Sequence, residues 1–300
     1  MYKRIFVPLD GSKVAEQVLP YARFLSGRLK ATVELVGVVD LAAIAISVHS
    51  NKANVGKIAE EGRRASATYL EEISKRFPGA SVTYSVATGK PEEVIIEKAA
   101  HHKGTLVAMA THGRSGMSRW LLGSVAEKVL RASTNPLLLV RAGVGGKPEA
   151  KVEFERIVVP LDTSPLAETV LPEVTDLAKR LNLEVVLVHA YALPMSAYYG
   201  YGDYYNPDYE NLAAQLKEEA RKYLEAKVTK LKGKGLEKVS SVVLDGSAAE
   251  EIIAIARREP NSLVAMCTHG YSGVKRWVLG SVTEKVVRHS DDPMLVIRAV

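Results

Sequence analysis

The sequence predicts an α/β protein made of two tandem domains, each a doubly wound parallel sheet of five strands. Three observations lead there. The first is an internal repeat: residues 111–129 return as 268–286, an offset of 157, and Val7-Pro8-Leu9-Asp10 returns as Val159-Pro160-Leu161-Asp162, an offset of 152. The second is that short apolar runs alternate with helix-like segments in each copy, the pattern of a parallel sheet covered on both faces. The third is length, since 300 residues suit two domains of about 100–200 residues each. We place domain 1 at 1–142, a Gly-rich polar linker at 143–152, and domain 2 at 153–300.

In the first copy, residues 4–9 form a run rich in Ile, Phe and Val, suited to a buried strand. Ser12 is placed to cap the helix that follows, whose apolar positions are Val14, Val18, Leu19, Ala22 and Leu25. Pro20 and, in the second copy, Pro172 fall inside that helix. Each removes an interior hydrogen bond, so a kink or break is expected at both places. Residues 32–39 read as the second strand, 60–77 as a helix, and 81–87 as the third strand. A helix over 91–101 carries Pro91 at an early position, where proline is tolerated. A strand over 105–110, a helix over 124–131 and a strand over 137–141 complete the copy. The second half follows the same order, with a net five extra residues between its second and third strands. A Tyr-rich stretch, 191–209, lies in that interval.

Composition narrows the class. The chain is 47% hydrophobic and 25% charged, as an ordinary globular protein is. Its charge of +6 comes from scattered Lys and Arg without a run of five, so a mildly basic solvated surface is expected rather than nucleic-acid binding. Cys267 is the single cysteine, which excludes an internal disulfide and gives no sign of an oxidising compartment. No apolar stretch approaches the ~20 residues of a membrane span, and the first residues pass directly into strand-like sequence without a signal-peptide pattern. A cytoplasmic protein with no membrane association is expected.

Doubly wound sheets bind ligands beyond the carboxyl ends of their strands, where the strand order reverses. With an order of 3-2-1-4-5, that point lies between strands one and four. Asp10 ends strand one, and the loop 111–123 follows strand four; Asp162 and the loop 268–280 repeat the arrangement. Gly113 and Gly123 bracket the first loop, and Gly270 and Gly280 the second. Without a Cβ, such glycines let backbone N–H groups approach phosphate oxygens. Gly123-Ser124 and Gly280-Ser281 then open helices whose free N–H groups and positive dipole end favour anions. Asp10 suits either hydrogen bonds from ribose hydroxyls or help in holding a phosphate-bound divalent cation. The pattern is neither a Walker A loop nor the dinucleotide fingerprint.

At these residues the sequence resembles the universal stress protein family, specifically its tandem-domain members with the ATP-binding type of motif. Gly113, Gly123 and Ser124 match that motif, as do Gly270, Gly280 and Ser281, whereas Ala110 and Cys267 stand where the family has its first glycine. The resemblance implies an adenine nucleotide alpha hydrolase-like fold that binds ATP, ADP or AMP, with Mg2+ or Mn2+ carried through the phosphates. It puts Asp10 and Asp162 on the ribose side and the strand-two ends Val38 and Ala190 against adenine. The nucleotide-binding set then comprises Pro8, Asp10, Val38, Ala110, His112, Gly113, Gly116, Gly123, Ser124 and Val125. Its counterparts are Pro160, Asp162, Ala190, Cys267, His269, Gly270, Gly273, Gly280, Ser281 and Val282. The family habit of pairing last strands implies that 137–141 and 294–298 run antiparallel, as an intramolecular pseudo-dimer, with a homo-oligomer and an unidentified protein partner beyond that.

Each feature also has a plainer reading. His112 and His269 are acid–base candidates or loop packing. Trp120 and Trp277 either stack on a base or anchor the loop, and Arg119 and Arg276 either contact phosphate or lie solvated. Cys267 is a redox sensor or an inert small hydrophobe. The Tyr-rich stretch is a lid or partner surface, or a loop packed on its own domain. For the whole chain we expect a nucleotide-dependent stress-response regulator without dedicated catalysis. Two alternatives stand beside it: an interaction scaffold that binds no nucleotide, and a slow ATP hydrolase using Asp10 with His112.

Overall fold

The computed structural model describes residues 2–47, 52–111, 122–143, 151–193, 209–259, 261–268 and 279–298. The chain divides into two compact units: unit 1 is Met1–Glu153 with Pro293–Arg298, and unit 2 contains Phe154–Asp292.

Unit 1 runs β1 (Arg4–Pro8), a 3-10 turn (Ala15–Val18), α1 (Leu19–Leu29), β2 (Thr32–Val39), α2 (Leu41–Ser47) and α3 (Lys52–Ser74). It continues with β3 (Val82–Thr88), α4 (Pro91–Ala100), β4 (Thr105–Thr111), α5 (Ser124–Ala132) and β5 (Leu137–Arg141). These strands lie in the order β3-β2-β1-β4-β5, and all pair in parallel. β1 is apolar throughout its middle because helices cover both its faces: Ile5, Phe6 and Val7 are fully buried. β3 closes one edge and leaves Tyr84 exposed.

Unit 2 repeats the plan with β6 (Arg156–Pro160), α6 (Pro165–Glu168), α7 (Leu171–Leu181), β7 (Glu184–Tyr191), α8 (Tyr209–Gly233), β8 (Val239–Asp245), α9 (Ala248–Arg258), β9 (Ser262–Cys267) and α10 (Ser281–His289). Its order is β8-β7-β6-β9, parallel where β6 pairs with β7 and β9 and where β7 pairs with β8. The last strand, β10 (Met294–Ile297), is counted with unit 1, where it runs antiparallel to β5 with Leu295 opposite Leu138. Arg298 fastens the end of that strand by donating to the carbonyls of Ala132 and Ser133 at 3.3 and 3.0 Å.

The break expected at the two prolines is present. α1 starts at Leu19 and α7 at Leu171, so Pro20 and Pro172 occupy first-turn positions, preceded by the 3-10 turn in one unit and by short α6 in the other. A first-turn N–H has no intrahelical acceptor, so proline loses nothing there. Both helices end on a left-handed residue, Lys30 (φ 54°) and Asn182 (φ 58°), whose N–H groups return to Ser26 O and Ala178 O. Two readings need correction. α3 begins at Lys52 rather than at residue 60, and α2 was not anticipated. Asp40 caps α2, its Oδ1 accepting the Ala42 and Ala43 N–H groups at 2.9 and 3.1 Å.

Candidate functional site

In unit 1 the chain leaves β1 at Pro8 and turns at once. Asp10 Oδ1 accepts the Ser12 N–H at 2.9 Å, Gly11 takes φ +80°, and Ser12 Oγ accepts the Ala15 N–H at 3.1 Å. This Asx turn holds the Asp10 carboxylate at the strand end while the residue itself stays exposed. Beside it β4 ends at Thr111, because β1 and β4 are neighbours with Arg4 level with Thr105. Here the strand order reverses, and a cavity of about 260 Å³ opens between the strand ends.

Its walls come from six segments. Pro8 ends β1 and Asp10 follows it, Val14 and Ala15 open the 3-10 turn, Val36 and Val38 come from β2, Pro91 and Ile95 from α4, Ala110 from β4, and Gly123, Ser124 and Val125 from the start of α5. The first intrahelical bond of α5 runs from Glu127 N–H to Gly123 O at 2.9 Å, so the N–H groups of Ser124, Val125 and Ala126 have no carbonyl within the helix to meet. All three residues line the cavity. The site therefore combines an apolar slot, one carboxylate and a set of helix-start amides.

Unit 2 builds the same enclosure, about 240 Å³, from Pro160, Asp162, Val188, Ala190, Cys267 and the α10 start Gly280, Ser281 and Val282. The two copies differ in detail. Asp162 Oδ1 accepts both the N–H and the hydroxyl of Ser164, at 3.0 and 2.6 Å. Thr163 takes φ 68° where unit 1 has Gly11, a conformation that a β-branched residue rarely holds. Cys267 replaces Ala110, and its Sγ lies 2.7 Å from Thr169 Oγ1. Burial pushes that thiol's pKa up, and the Asp162 charge adds to the effect.

Of the predicted residues, Pro8, Asp10, Val38, Ala110, Gly123, Ser124 and Val125 converge on the first cavity, and Pro160, Asp162, Ala190, Cys267, Gly280, Ser281 and Val282 on the second. His112, Gly113, Gly116, Arg119 and Trp120, with His269, Gly270, Gly273, Arg276 and Trp277, lie outside the described residues, as does 194–208 of the Tyr-rich stretch. The sequence reading missed the apolar walls. Val36 was accessible from Val38 by the two-residue period of a strand, and Ile95 from Pro91 by helical spacing. Among the described residues no group of three His, Cys, Asp or Glu side chains could hold a metal ion, and no helix is long and apolar enough to cross a membrane.

Fold and cavity together define a tandem pair of doubly wound α/β domains, each with a ligand-sized cleft at its switch point. The family model described as "Universal stress protein family" matches residues 1–141 and again 153–298, and the chain belongs to that family. It is 30% identical over 142 residues to the universal stress protein MJ0531 of Methanocaldococcus jannaschii, covering 47% of this chain and 83% of that one. The universal stress protein Rv2005c of Mycobacterium tuberculosis is 24% identical over 252 residues, covering 80% of this chain and 77% of its own. A crystal structure of a universal stress protein from Archaeoglobus fulgidus superposes over 100% of both chains with a TM-score of 0.72 at 19% identity, a likeness of fold.

Proposed function

We propose that each unit binds an adenine nucleotide, ATP in the first instance, and that the liganded state is what a cytoplasmic stress-response regulator presents to its partners. One observation carries the reading. A carboxylate and a helix-start amide cluster line the same apolar cavity at the sheet's reversal point, and the arrangement occurs twice. The adenine ring would lie in the slot formed by Val36 and Val38, with Val188 and Ala190 as the counterparts. Asp10 and Asp162 would accept hydrogen bonds from ribose hydroxyls, and the amides at Ser124–Val125 and Ser281–Val282 would meet the phosphates. A divalent cation fits only as a companion of the phosphates, since one aspartate per cavity is too small a ligand set to hold Mg2+ alone. Family membership supports the stress-related role.

Calorimetric titration of nucleotide-stripped protein with ATP and Mg2+ tests the proposal. Saturable heat is expected, and Asp10→Ala should weaken the unit 1 site by about ten- to a hundred-fold, the worth of a hydrogen bond to a charged group. An absence of heat at millimolar ATP would leave the chain as an interaction scaffold.

A further inference from the structure

The two cavities share a plan but not a wall: Val38, Pro91, Ala110 and Ala126 of unit 1 are Ala190, Ala248, Cys267 and Thr283 in unit 2, and the last two meet at one corner. Where unit 1 has Gln17, Ala110 and Ala126, unit 2 has Thr169, Cys267 and Thr283. In unit 2 these three are bonded together. Thr169 Oγ1 lies 2.7 Å from Cys267 Sγ, and Thr283 Oγ1 donates to Cys267 O at 2.9 Å. Cys267 and Thr283 both line the cavity and are buried, with 5% and 4% of their surface exposed. In unit 1 the corresponding glutamine turns away, exchanging hydrogen bonds with the backbone of Gly143 at 3.0 and 3.4 Å. Ala110 and Ala126 offer only methyl groups at the same corner.

We infer that the two sites are unequal: unit 1 is the tight nucleotide site, unit 2 the weak one, and Cys267 with its Thr169 tether sets the difference. This rests on the nucleotide reading above. The physical reason is that a tethered thiol cannot rotate aside, so a ligand must lose contact with that wall or break the Thr169 bond. One extra heavy atom in a packed pocket shifts affinity by about 10–200-fold. The aspartates reinforce the inequality. Asp162 Oδ1 already has both lone pairs engaged by Ser164, whereas Asp10 Oδ1 receives one donor, the Ser12 N–H. A ribose hydroxyl therefore finds a more available acceptor in unit 1.

Because Cys267 is the chain's single cysteine, it reports on the second cavity alone. The test titrates ATP with Mg2+ into the wild-type chain, into Cys267→Ala and into the converse Ala110→Cys, following heat in each. In the wild type it also follows protection of Cys267 from methyl methanethiosulfonate. The expected wild-type isotherm has two steps separated by about ten-fold or more, and half-protection of the thiol falls at the weaker one. Cys267→Ala should move the weak step most of the way towards the tight one, the difference between the aspartates remaining, and Ala110→Cys should weaken the tight step by about ten-fold. Two equal wild-type sites, a weak step unmoved by Cys267→Ala, or thiol protection at the tight step would each overturn the assignment. No heat from any of the three, with their melting transitions intact, removes the nucleotide reading and the inequality with it.

Discussion

Asp292 follows α10 in a half-buried turn where its carboxylate gains little. Burial raises its pKa above the ordinary 3.8 and neighbouring Asp291 pushes the same way, while Ser290 and Arg257 only partly offset them. Ser290 Oγ approaches Oδ2 at 3.4 Å, a weak hydrogen bond. The sign follows from linkage. A carboxyl whose folded value is raised holds its proton better in the native state, so its contribution is full below 3.8 and is lost as pH rises through the folded value. At neutral pH the charge is a liability. Asp292→Asn should raise the melting temperature at pH 7, and the gain should shrink as pH falls towards 3.8. Melting curves across that range check it, and a gain independent of pH would show that the charge is not the cause. At this same scale the candidate site was only half readable. Asp10, Gly123 and Ser124 stand out because a charge, a missing Cβ and a hydroxyl carry their chemistry in the residue type, at a strand end and a helix start. Val36, Ile95 and Thr169 do not, because a valine in a strand looks the same whether it faces a cavity or a helix. Thr169 meets Cys267 across 98 residues of sequence, and no local pattern encodes that contact.

The packing of β2 against α3, and of β7 against α8, shows two solutions to one spatial problem. Gly37 is buried with no side chain to spare: a Cβ there would overlap Ser66 Oγ and lie 3.4 Å from Leu70 Cδ1. At the repeated positions unit 2 has His189 and Tyr223, their rings edge to face with centroids 6.1 Å apart. Since Leu161 O can only accept, His189 Nδ1 carries the proton it shares with that carbonyl at 2.7 Å. Tyr223 is anchored in turn by donating to Glu168 at 3.0 Å, with Lys227 paired to the same carboxylate at 2.6 Å. Glycine with serine therefore sets one strand–helix spacing, and histidine with tyrosine another. Gly37→Ala should destabilise unit 1 by about 1–3 kcal/mol, as overpacking does. In a Ser66→Ala background the cost should fall below about 1 kcal/mol, because the Ser66 Cβ stands off at 3.5 Å. Urea denaturation of the four proteins measures the coupling, and additive costs would mean that Ser66 is not the obstacle. Elements of this kind were largely legible: strands β2 and β5 fall where their apolar runs do. The boundary of α3 was not, since Gly56 breaks the helical pattern locally while the contacts of the later turns hold the whole helix.

Repetition at offsets of 152 and 157 announces two copies, yet the chain does not apportion its strands by copy. β10 comes from the second repeat yet belongs to unit 1, paired antiparallel with β5 as the family resemblance implied; the repeat by itself does not encode this, because strand partners are chosen by edge and register rather than by sequence distance. The pairing satisfies an edge that would otherwise be costly. β5 is buried along Leu137–Val140, and an unpaired strand of that composition would be a site for aggregation. Leu138 and Leu295 face each other in the ladder, each 1% exposed. Truncating either to alanine should cost about 2–5 kcal/mol, and since the two side chains share one environment, the double variant should fall short of additivity by about 0.5–3 kcal/mol. The more discriminating measurement is site-resolved hydrogen exchange. If β10 is a strand of unit 1, Leu295→Ala must loosen the amides of β5 although the substitution lies over 150 residues away in sequence. The effect should reach β4, whose Ala110 is level with Val140 and forms part of the cavity wall. Protection unchanged in β5 would mean that the last strand contributes nothing to the stability of the first unit, and the first cavity would then owe its shape to residues 1–142 alone.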